Sequence, residues 1–423
     1  MHGDPRVKTM NQQFDMVIIG GGMVGTALAA ALKHTDLSIA LIETHMASTP
    51  SGSVNECADV DLRVSAINRA NENFLSSIGA WQNIPKNRKS AYDKMRVWDG
   101  EGTGHIQFNA LEMGEPHLGH IIENRFTANA LMDIAQQQNN IHIFSPATLK
   151  DIERFVSSDD ADQSTEKYFV HLDQGQSLYT PLVIAADGAR SFVRSWAEFE
   201  TREWDYGHHG LVCTIETEKP NEACAWQRFL EDGILAFLPV QTDSDKNLCS
   251  IVWSCSEDMA EQLLALDEIE FNEKLSIMLE YKLGAVISSG QRVAIPLRQR
   301  HAKSYVKQGI VLVGDAAHTI HPLAGQGVNI GLMDAYVLAD EIKQGLARGL
   351  SAHDDYVLKR FERRRMPENL TMMATMESFK RLFAVKTPGI RWLRNWGMKK
   401  VDKLGFVKNH LVQEAMGLKR TIR

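Results

Sequence analysis

The chain has 423 residues, 44% of them hydrophobic and 23% charged, with a formal net charge of −7 at pH 7. That length exceeds the size at which a single core usually stops growing, so two lobes are expected, and the composition excludes disordered and fibrous classes. The negative balance argues against a general affinity for nucleic acid. The charge is uneven, however: Leu358 to Arg423 carries 17 Lys and Arg against 5 Asp and Glu, a local balance of +12. A basic tail on an acidic body suits an anionic membrane surface or an acidic partner, and a solvated helical face is the simpler reading. The five cysteines (Cys57, Cys213, Cys224, Cys249, Cys255) form no CxxC pair and no metal-ligand spacing, which fits a reducing compartment, with Cys249 and Cys255 as inert core thiols. Residues 1–15 are polar without an apolar signal core, and no apolar run reaches membrane-spanning length, so a soluble cytoplasmic chain is expected.

In chain order, Phe14 to Gly20 reads as a buried strand, Met23 to Lys33 as a helix and Leu37 to Glu43 as a second buried strand. A right-handed crossover would make these two strands parallel. Thr44 to Asp61 reads as a loop, and Arg63 to Ile78 as a helix ending at Gly79. Strands are expected within Tyr92 to Phe108 and Tyr168 to Ala186, with Ser157 to Lys167 as an exposed hairpin tip. Gly210 to Trp253 is strand-rich and suits a mostly antiparallel second sheet. Gly309 to Val313 is another apolar strand, followed by a glycine-rich loop and a helix from about Val328 to Gln344. From Asp355 onward the pattern is helical, broken by Pro367 and Pro388.

Three motifs carry chemistry. The first, Gly20-Gly-Gly22-Met-Val-Gly25, lies between a predicted strand and a predicted helix. Its first glycine permits the turn, its second lets backbone N–H groups approach a pyrophosphate, and its third lets helix and strand pack closely. Glu43 ends the next strand, where a carboxylate can accept hydrogen bonds from ribose hydroxyls. Together these specify an adenine dinucleotide. The second motif, Val183-Ile-Ala-Ala-Asp187-Gly188-Ala-Arg190-Ser191 with Arg194 beyond it, is a strand ending in Asp-Gly, which by itself is a common turn. The third runs Ile310-Val-Leu-Val-Gly314-Asp315-Ala-Ala-His318 and continues through His321, Pro322, Gly325, Gly327 and Asn329. It places an aspartate at a strand end, where a polyol chain could donate to it. Its glycines expose N–H groups at a helix start, where negative charge on a flavin ring would be stabilised.

In this order and at these separations, the three motifs resemble the single-component FAD aromatic hydroxylases, the p-hydroxybenzoate hydroxylase group. The resemblance implies that Gly20, Gly22, Gly25 and Glu43 hold the ADP part of FAD, and that Arg63 reaches the FAD phosphates. It further implies that Asp187 lies near the pyrophosphate, that Asp315 contacts the ribityl chain, and that Pro322, Gly327, Val328 and Asn329 line the flavin ring. Leu62 to Asn68, Leu118-Gly-His-Ile-Ile-Glu-Asn124, Trp204-Asp-Tyr-Gly-His-His209, Asp232 to Pro239, Leu248 to Ser254, His318 to Asn329 and Gln413 to Leu418 are similar to the ubiquinone-biosynthesis hydroxylases. Within them the likeness is to the VisC-type, 2-octaprenylphenol hydroxylase branch, and it spans Phe14 to Leu418.

The family implies a cycle in which NAD(P)H, NADPH or NADH, reduces FAD, O₂ adds at flavin C4a, and the hydroperoxide delivers one oxygen to an electron-rich ring carbon. For this chain that would be C5 of a 2-polyprenylphenol. A base near the phenol would assist, and His208, His209 and His321 are the candidates; each alone is more often structural, and no catalytic residue is assigned. An apolar cleft for the prenyl chain could be lined by Leu235 to Leu238 and Ile251 to Trp253, which equally suit ordinary sheet core. Phe379 to Phe383 and Ile390 to Trp396 mix aromatics with bases, as a helix lying on the inner membrane would, or one packed on the body.

The expected fold is α/β: a Rossmann-like FAD-binding domain with a parallel sheet (segments 14–90, 126–205 and 301–350), a mostly antiparallel substrate domain (91–125 and 206–300) and a C-terminal helical region (351–423). Alternatives to a C5 hydroxylase are a hydroxylase of another ring position and a flavin-carrying scaffold subunit of a ubiquinone-biosynthesis complex. A reductase or halogenase of the same fold is a further reading, although no WxWxIP-like segment is present. A homo-oligomer remains open.

Overall fold

The computed structural model describes residues 12–45, 57, 60–100, 102–156, 166–244, 246–319, 327–384 and 416–417. Its first lobe is built on a six-stranded sheet in the order Val306–Lys307, Ile310–Leu312, Val183–Ala185, Met16–Ile19, Ile39–Ile42, Ile141–Phe144. All neighbours are parallel except the Val306–Lys307 edge strand. The central strands are buried on both faces, which is why they read as unbroken apolar runs. The Met23–Ala31 helix, rich in alanine, packs closely against the Gly327–Leu346 helix in the same core.

The second lobe is a nine-stranded sheet in the order His318–Thr319, Val293–Ala302, Thr201–Thr217, Leu248–Ser256, Gly233–Val240, Cys224–Leu230, Lys94–Asp99, His105–Asn109, with Val286–Ser289 also paired to Thr201–Thr217. It is antiparallel except where Cys224–Leu230 runs parallel to Lys94–Asp99. Strand periodicity divides its residues between two faces. Leu211, Cys213, Leu235, Phe237, Ile251 and Trp253 form a core with residues of the Glu257–Ala265 and Glu268–Met278 helices. Ala236, Leu238 and Val252 face the other way, toward a three-stranded sheet of Val64–Asn68, Gly119–Glu123 and Ser90–Tyr92. The molecule is thus mixed α/β, with a mostly parallel six-stranded sheet, a mostly antiparallel nine-stranded sheet and two smaller sheets of four and three strands. All five thiols are buried and free, and burial pushes Cys213, Cys249 and Cys255 up to about 12.

Two sequence expectations are corrected. Arg63 to Ile78 is not one helix: Val64–Asn68 is a strand paired antiparallel with Gly119–Glu123, and the helix spans Arg69–Ser77. The β-branched Val64 and Ile67 find a partner strand, and Asn68 caps the helix by accepting from Asn71 N at 3.1 Å. Pro367 does not break the last helix, which runs Asp355–Ala384 straight through it. Ion pairs on either side hold the flanking turns against the Gly327–Leu346 helix: Arg360 to Glu341 at 2.5 Å, Arg364 to Asp340 at 2.6 Å and Arg365 to Asp334 at 2.7 Å. These contacts offset the lost backbone bond, and they commit part of the basic tail to the body. Pro388 and Ile390 to Trp396 lie outside the described residues, as does most of the loop expected at Thr44 to Asp61. The side chains of Phe379 to Phe383 are also outside the description. The expected hairpin is seen as Leu149–Val156 paired antiparallel with Glu166–Leu172, its tip again outside the described residues. Among the described residues, no helix is long and apolar enough to cross a membrane.

Candidate active site

The three motifs, separated by hundreds of residues, leave the carboxyl ends of three adjacent parallel strands. Met16–Ile19 pairs with Val183–Ala185, which pairs with Ile310–Leu312, and Ile39–Ile42, which leads into Glu43, lies on the far side of Met16–Ile19. Ligands of open α/β sheets bind at such strand ends.

Each glycine of the first turn meets a different constraint. Gly20 has φ +107°, and a Cβ there would lie 2.3 Å from the Ala186 carbonyl oxygen. At Gly25 a Cβ would stand 2.0 Å from the Gly20 oxygen, and at Gly21 it would stand 2.7 Å from Cβ of Glu43. Gly22 differs: an added Cβ meets no described atom within 4 Å, and the residue caps its helix without a side-chain hydrogen bond. The helix start thus carries no side-chain cap among the described residues, and an uncapped helix N-terminus is an anion-binding arrangement.

Asp187 accepts from Val193 N at 3.2 Å through Oδ2, while Oδ1 is buried without a partner among the described residues. Burial raises its carboxyl above the usual range. Arg194, itself buried, donates to the Ala316 oxygen at 2.9 Å and to the Ala189 oxygen at 2.9 Å, bracing the second motif against the third. Asp315 sits on a 3-10 turn with an exposed side chain, yet its carboxyl is also raised by burial among surrounding protein, against the charges of His318 and Arg63. Arg63 is exposed on the strand side of the same region. Gly327 starts its helix, an added Cβ there meeting no described atom within 4 Å, and Val328 follows, half-buried. Asn329 is turned inward instead. Its Nδ2 donates to the Ala66 oxygen at 2.7 Å, and its Oδ1 accepts from Asn68 N at 3.2 Å and Asn71 Nδ2 at 3.0 Å. Its side chain therefore clamps the Val64–Asn68 strand to the helix, leaving its backbone as what could face a ligand. Pro322 and His321 lie outside the described residues.

The residues present fit FAD: among the described residues, the helix start has no side-chain cap, one buried oxygen of Asp187 has no partner, and an added Cβ at Gly22 or Gly327 meets no atom within 4 Å.

Behind the third motif lies a buried network that sequence reading missed. Asp334 Oδ2 accepts from Gly314 N at 3.0 Å and from His318 Nε2 at 2.5 Å, and Oδ1 accepts from Arg365 Nε at 2.7 Å and Asn369 Nδ2 at 3.2 Å. The one carboxylate thus grips both ends of the turn that carries Asp315. Although burial opposes ionisation, His318 and Arg365 hold Asp334 well below the usual carboxylate range. The signal available was Asp334 set between the apolar residues Met333 and Ala335 of a helix. Asn369 continues the network to Tyr305 at 3.1 Å, and Tyr305 to His301 at 2.9 Å.

Burial pushes the His301 imidazole down from 6.5 to about 4. Between those values the unfolded chain binds a proton that the folded chain does not, so this contribution to stability is complete above pH 6.5 and is lost as pH falls toward 4. The expected loss is up to about 3 kcal/mol. It should appear in urea titrations at about pH 7 and pH 4.5, and His301→Gln should flatten the difference. An equal pH dependence in the variant would refute it.

Of the candidate bases, register puts His209 on the helix-covered face with Cys255 and Leu211, and His208 on the face of Val212 and Val252. His208 Nε2 lies 3.9 Å from Asp232 Oδ1. The proposed cleft residues divide the same way: Leu235, Phe237, Ile251 and Trp253 belong to the helix-covered core, and only Ala236, Leu238 and Val252 face the three-stranded sheet. Glu72, His117 and His120 bring three metal-ligand atoms within 4.8 Å, but the Arg69 guanidinium lies 2.7 Å from Glu72 Oε2 and 3.0 Å from His117 Nε2, where a cation would bind.

A glycine turn, an acidic strand end and two further motifs converging on one set of strand ends, beside an antiparallel sheet, define an FAD-dependent aromatic monooxygenase. Residues 13–373 match the family described as FAD binding domain. The 3-demethoxyubiquinol 3-hydroxylase of Escherichia coli is 33% identical over 410 residues, covering 96% of this chain and 100% of that one. Ubiquinone hydroxylase UbiL of Rhodospirillum rubrum is 32% identical, with coverage of 95% and 89%. Among solved structures, p-nitrophenol 4-monooxygenase PnpA of Pseudomonas putida superposes with a TM-score of 0.74 at 18% identity, covering 96% of this chain and 99% of that one. The chain belongs to this FAD-binding family and, within it, to the ubiquinone-biosynthesis hydroxylases.

Proposed function

We propose that this protein hydroxylates the aromatic ring of a polyprenylphenol in ubiquinone biosynthesis, at C5 of a 2-polyprenylphenol, using O₂ and NADPH or NADH. The observation that carries the reading is the convergence of the three motifs on adjacent strand ends, with an apolar face reaching Ala66 beside Asn329. In this reading Gly20, Gly22 and Gly25 hold the pyrophosphate at the helix start, with Glu43 on the ribose. Arg63 and Asp187 lie toward the phosphates, Asp315 takes the ribityl chain, and Pro322, Gly327, Val328 and the Asn329 backbone border the ring. The bound flavin supplies the redox chemistry and activates the oxygen. The chain's part is to orient a phenol against the ring and to exclude water with the apolar face. The name of the Escherichia coli relative, a 3-hydroxylase, favours another ring position as the second reading.

The test is turnover by FAD-loaded protein. Addition of a 2-alkylphenol should accelerate NADPH consumption and yield a phenol carrying one atom from labelled dioxygen, its position settled by NMR. Hydroxylation elsewhere would select the second reading. NADPH oxidation with no oxygenated product from any alkylphenol would sink both and leave a flavin-carrying scaffold subunit.

A further inference from the structure

Arg63 stands immediately before the Val64–Asn68 strand with its side chain exposed. A long flexible side chain binds an anion better when its own backbone is fixed before the ligand arrives. Here the backbone is held on both sides. Its N–H donates to Asp61 Oδ1 at 3.0 Å, and its carbonyl oxygen accepts from Asn124 N at 2.9 Å. Two residues further on, Ser65 Oγ donates to Asn124 Oδ1 at 2.6 Å. Burial raises the Asp315 carboxyl, and the charges of His318 and Arg63 act against that rise, so Arg63 lies within electrostatic reach of the Asp315 turn.

The Asp61 end of this clamp is itself tied to Glu123, which closes the Gly119–Glu123 strand and is 2% exposed. Glu123 Oε2 accepts from Asp61 N at 2.8 Å. A buried carboxylate persists only where opposite charge and donors offset its desolvation. Two guanidiniums do so. Arg88 Nη1 donates to Oε1 at 3.2 Å, and Arg125 donates to Oε2 from Nε at 3.0 Å, with Nη2 2.7 Å from the same oxygen. Both guanidiniums lie over the Phe126 ring, 5.3 and 5.0 Å from its centroid. For stability alone, apolar residues of similar volume often serve as well as such a buried ionic group. What the carboxylate adds is a hold on a backbone N–H two residues before Arg63.

We propose that Glu123 is a positioning residue for the cofactor's phosphates: through Asp61 it fixes the backbone of Arg63, so that the guanidinium is presented in one orientation. This rests on the functional reading above, which gives Arg63 that role. Glu123 touches no ligand and acts through Arg63. Whatever FAD affinity Glu123 and Asp61 contribute therefore vanishes when Arg63 has no charge to position.

The test is a double-mutant cycle on the full-length protein, read by fluorescence titration with FAD and by thermal unfolding of the FAD-free protein. Arg63→Ala should weaken FAD binding by about tenfold to a hundredfold, the loss of one charge-assisted contact. Glu123→Gln and Asp61→Ala should each weaken it by about threefold to tenfold, and Asp61→Asn, which keeps the acceptor for Arg63 N, by less than about twofold. In the Arg63→Ala background, Glu123→Gln and Asp61→Ala should change FAD affinity by less than about twofold, while Glu123→Gln lowers the melting temperature as much as it does in the parent. A role in general stability would instead weaken FAD binding by the same factor in both backgrounds, and that result would overturn the proposal. If Glu123→Gln does not fold, the cycle with the half-buried Asp61 decides alone. An Arg63→Ala protein that binds FAD like the parent would also overturn it while leaving the rest of the site standing. A parent protein that binds no FAD would bring down the functional reading and this one with it.

Discussion

Gly22→Ala should fold normally and fail to retain FAD, whereas Gly25→Ala should lose both fold stability and FAD. The two glycines are three residues apart in one turn, and the difference is geometric. At Gly22 the backbone is extended (φ −68°, ψ −177°), open to any residue, and the added methyl meets no described atom. Alanine there should change the stability of the FAD-free protein by less than about 1 kcal/mol, its gain through the unfolded chain being offset by its poorer fit at a helix N-cap. The same methyl would project where a pyrophosphate must approach the helix N–H groups. Loss of one or two charge-assisted hydrogen bonds corresponds to an affinity reduced on the order of a hundredfold. At Gly25 the methyl would lie 2.0 Å from a backbone oxygen, so helix and strand must separate, at a cost of about 3 kcal/mol. Calorimetry of the FAD-free proteins and fluorescence titration with FAD separate the two effects. A Gly22→Ala protein that binds FAD like the parent would remove this turn from the cofactor site.

The second large effect is expected at Asp334. Asp334→Ala strips the buried carboxylate partner from Arg365, which is 1% exposed and keeps only the carboxylate of Glu368, and from His318, which is 2% exposed. It also frees the Gly314 N–H that anchors the Asp315 turn. Removing one member of a buried charged cluster costs about 3–5 kcal/mol, and Arg365 is then left with the partly exposed Glu368 as its carboxylate partner. Replacing both charges, as in Asp334→Leu with Arg365→Met, should cost less than Asp334→Leu alone. Denaturant titration of the single and double variants is the measurement. Simple addition of the two single costs would show that the cluster contributes no coupling.

Much of the site was legible in sequence because its devices are local. A strand, a glycine turn, a helix and an acidic strand end occupy one short stretch, and steric demands inside that stretch dictate Gly20 and Gly25 whatever surrounds them. Asp187 and Asp315 were marked for the same reason, each being the residue at which an apolar strand runs out. The reading went wrong where local preference was weak. Val64–Asn68 suits a strand or a helix in isolation, and the pairing with Gly119–Glu123, fifty residues away, decided it. Pro367 forbids a helix only if nothing else holds the flanking turns, and three arginine–acid contacts do.

By itself, then, the order of residues marked which segments carry the turn geometry and helix polarity of the proposed dinucleotide site, since both depend on neighbours a few positions apart. Only the tertiary structure decided that those segments leave adjacent strands, that Asn329 is a clamp, that Asp334 grips the Asp315 turn, and that Glu123 holds the Asp61 backbone. Each of these joins residues far apart in the chain, and burial of apolar surface and satisfaction of buried polar groups act between them only once the sheets have formed.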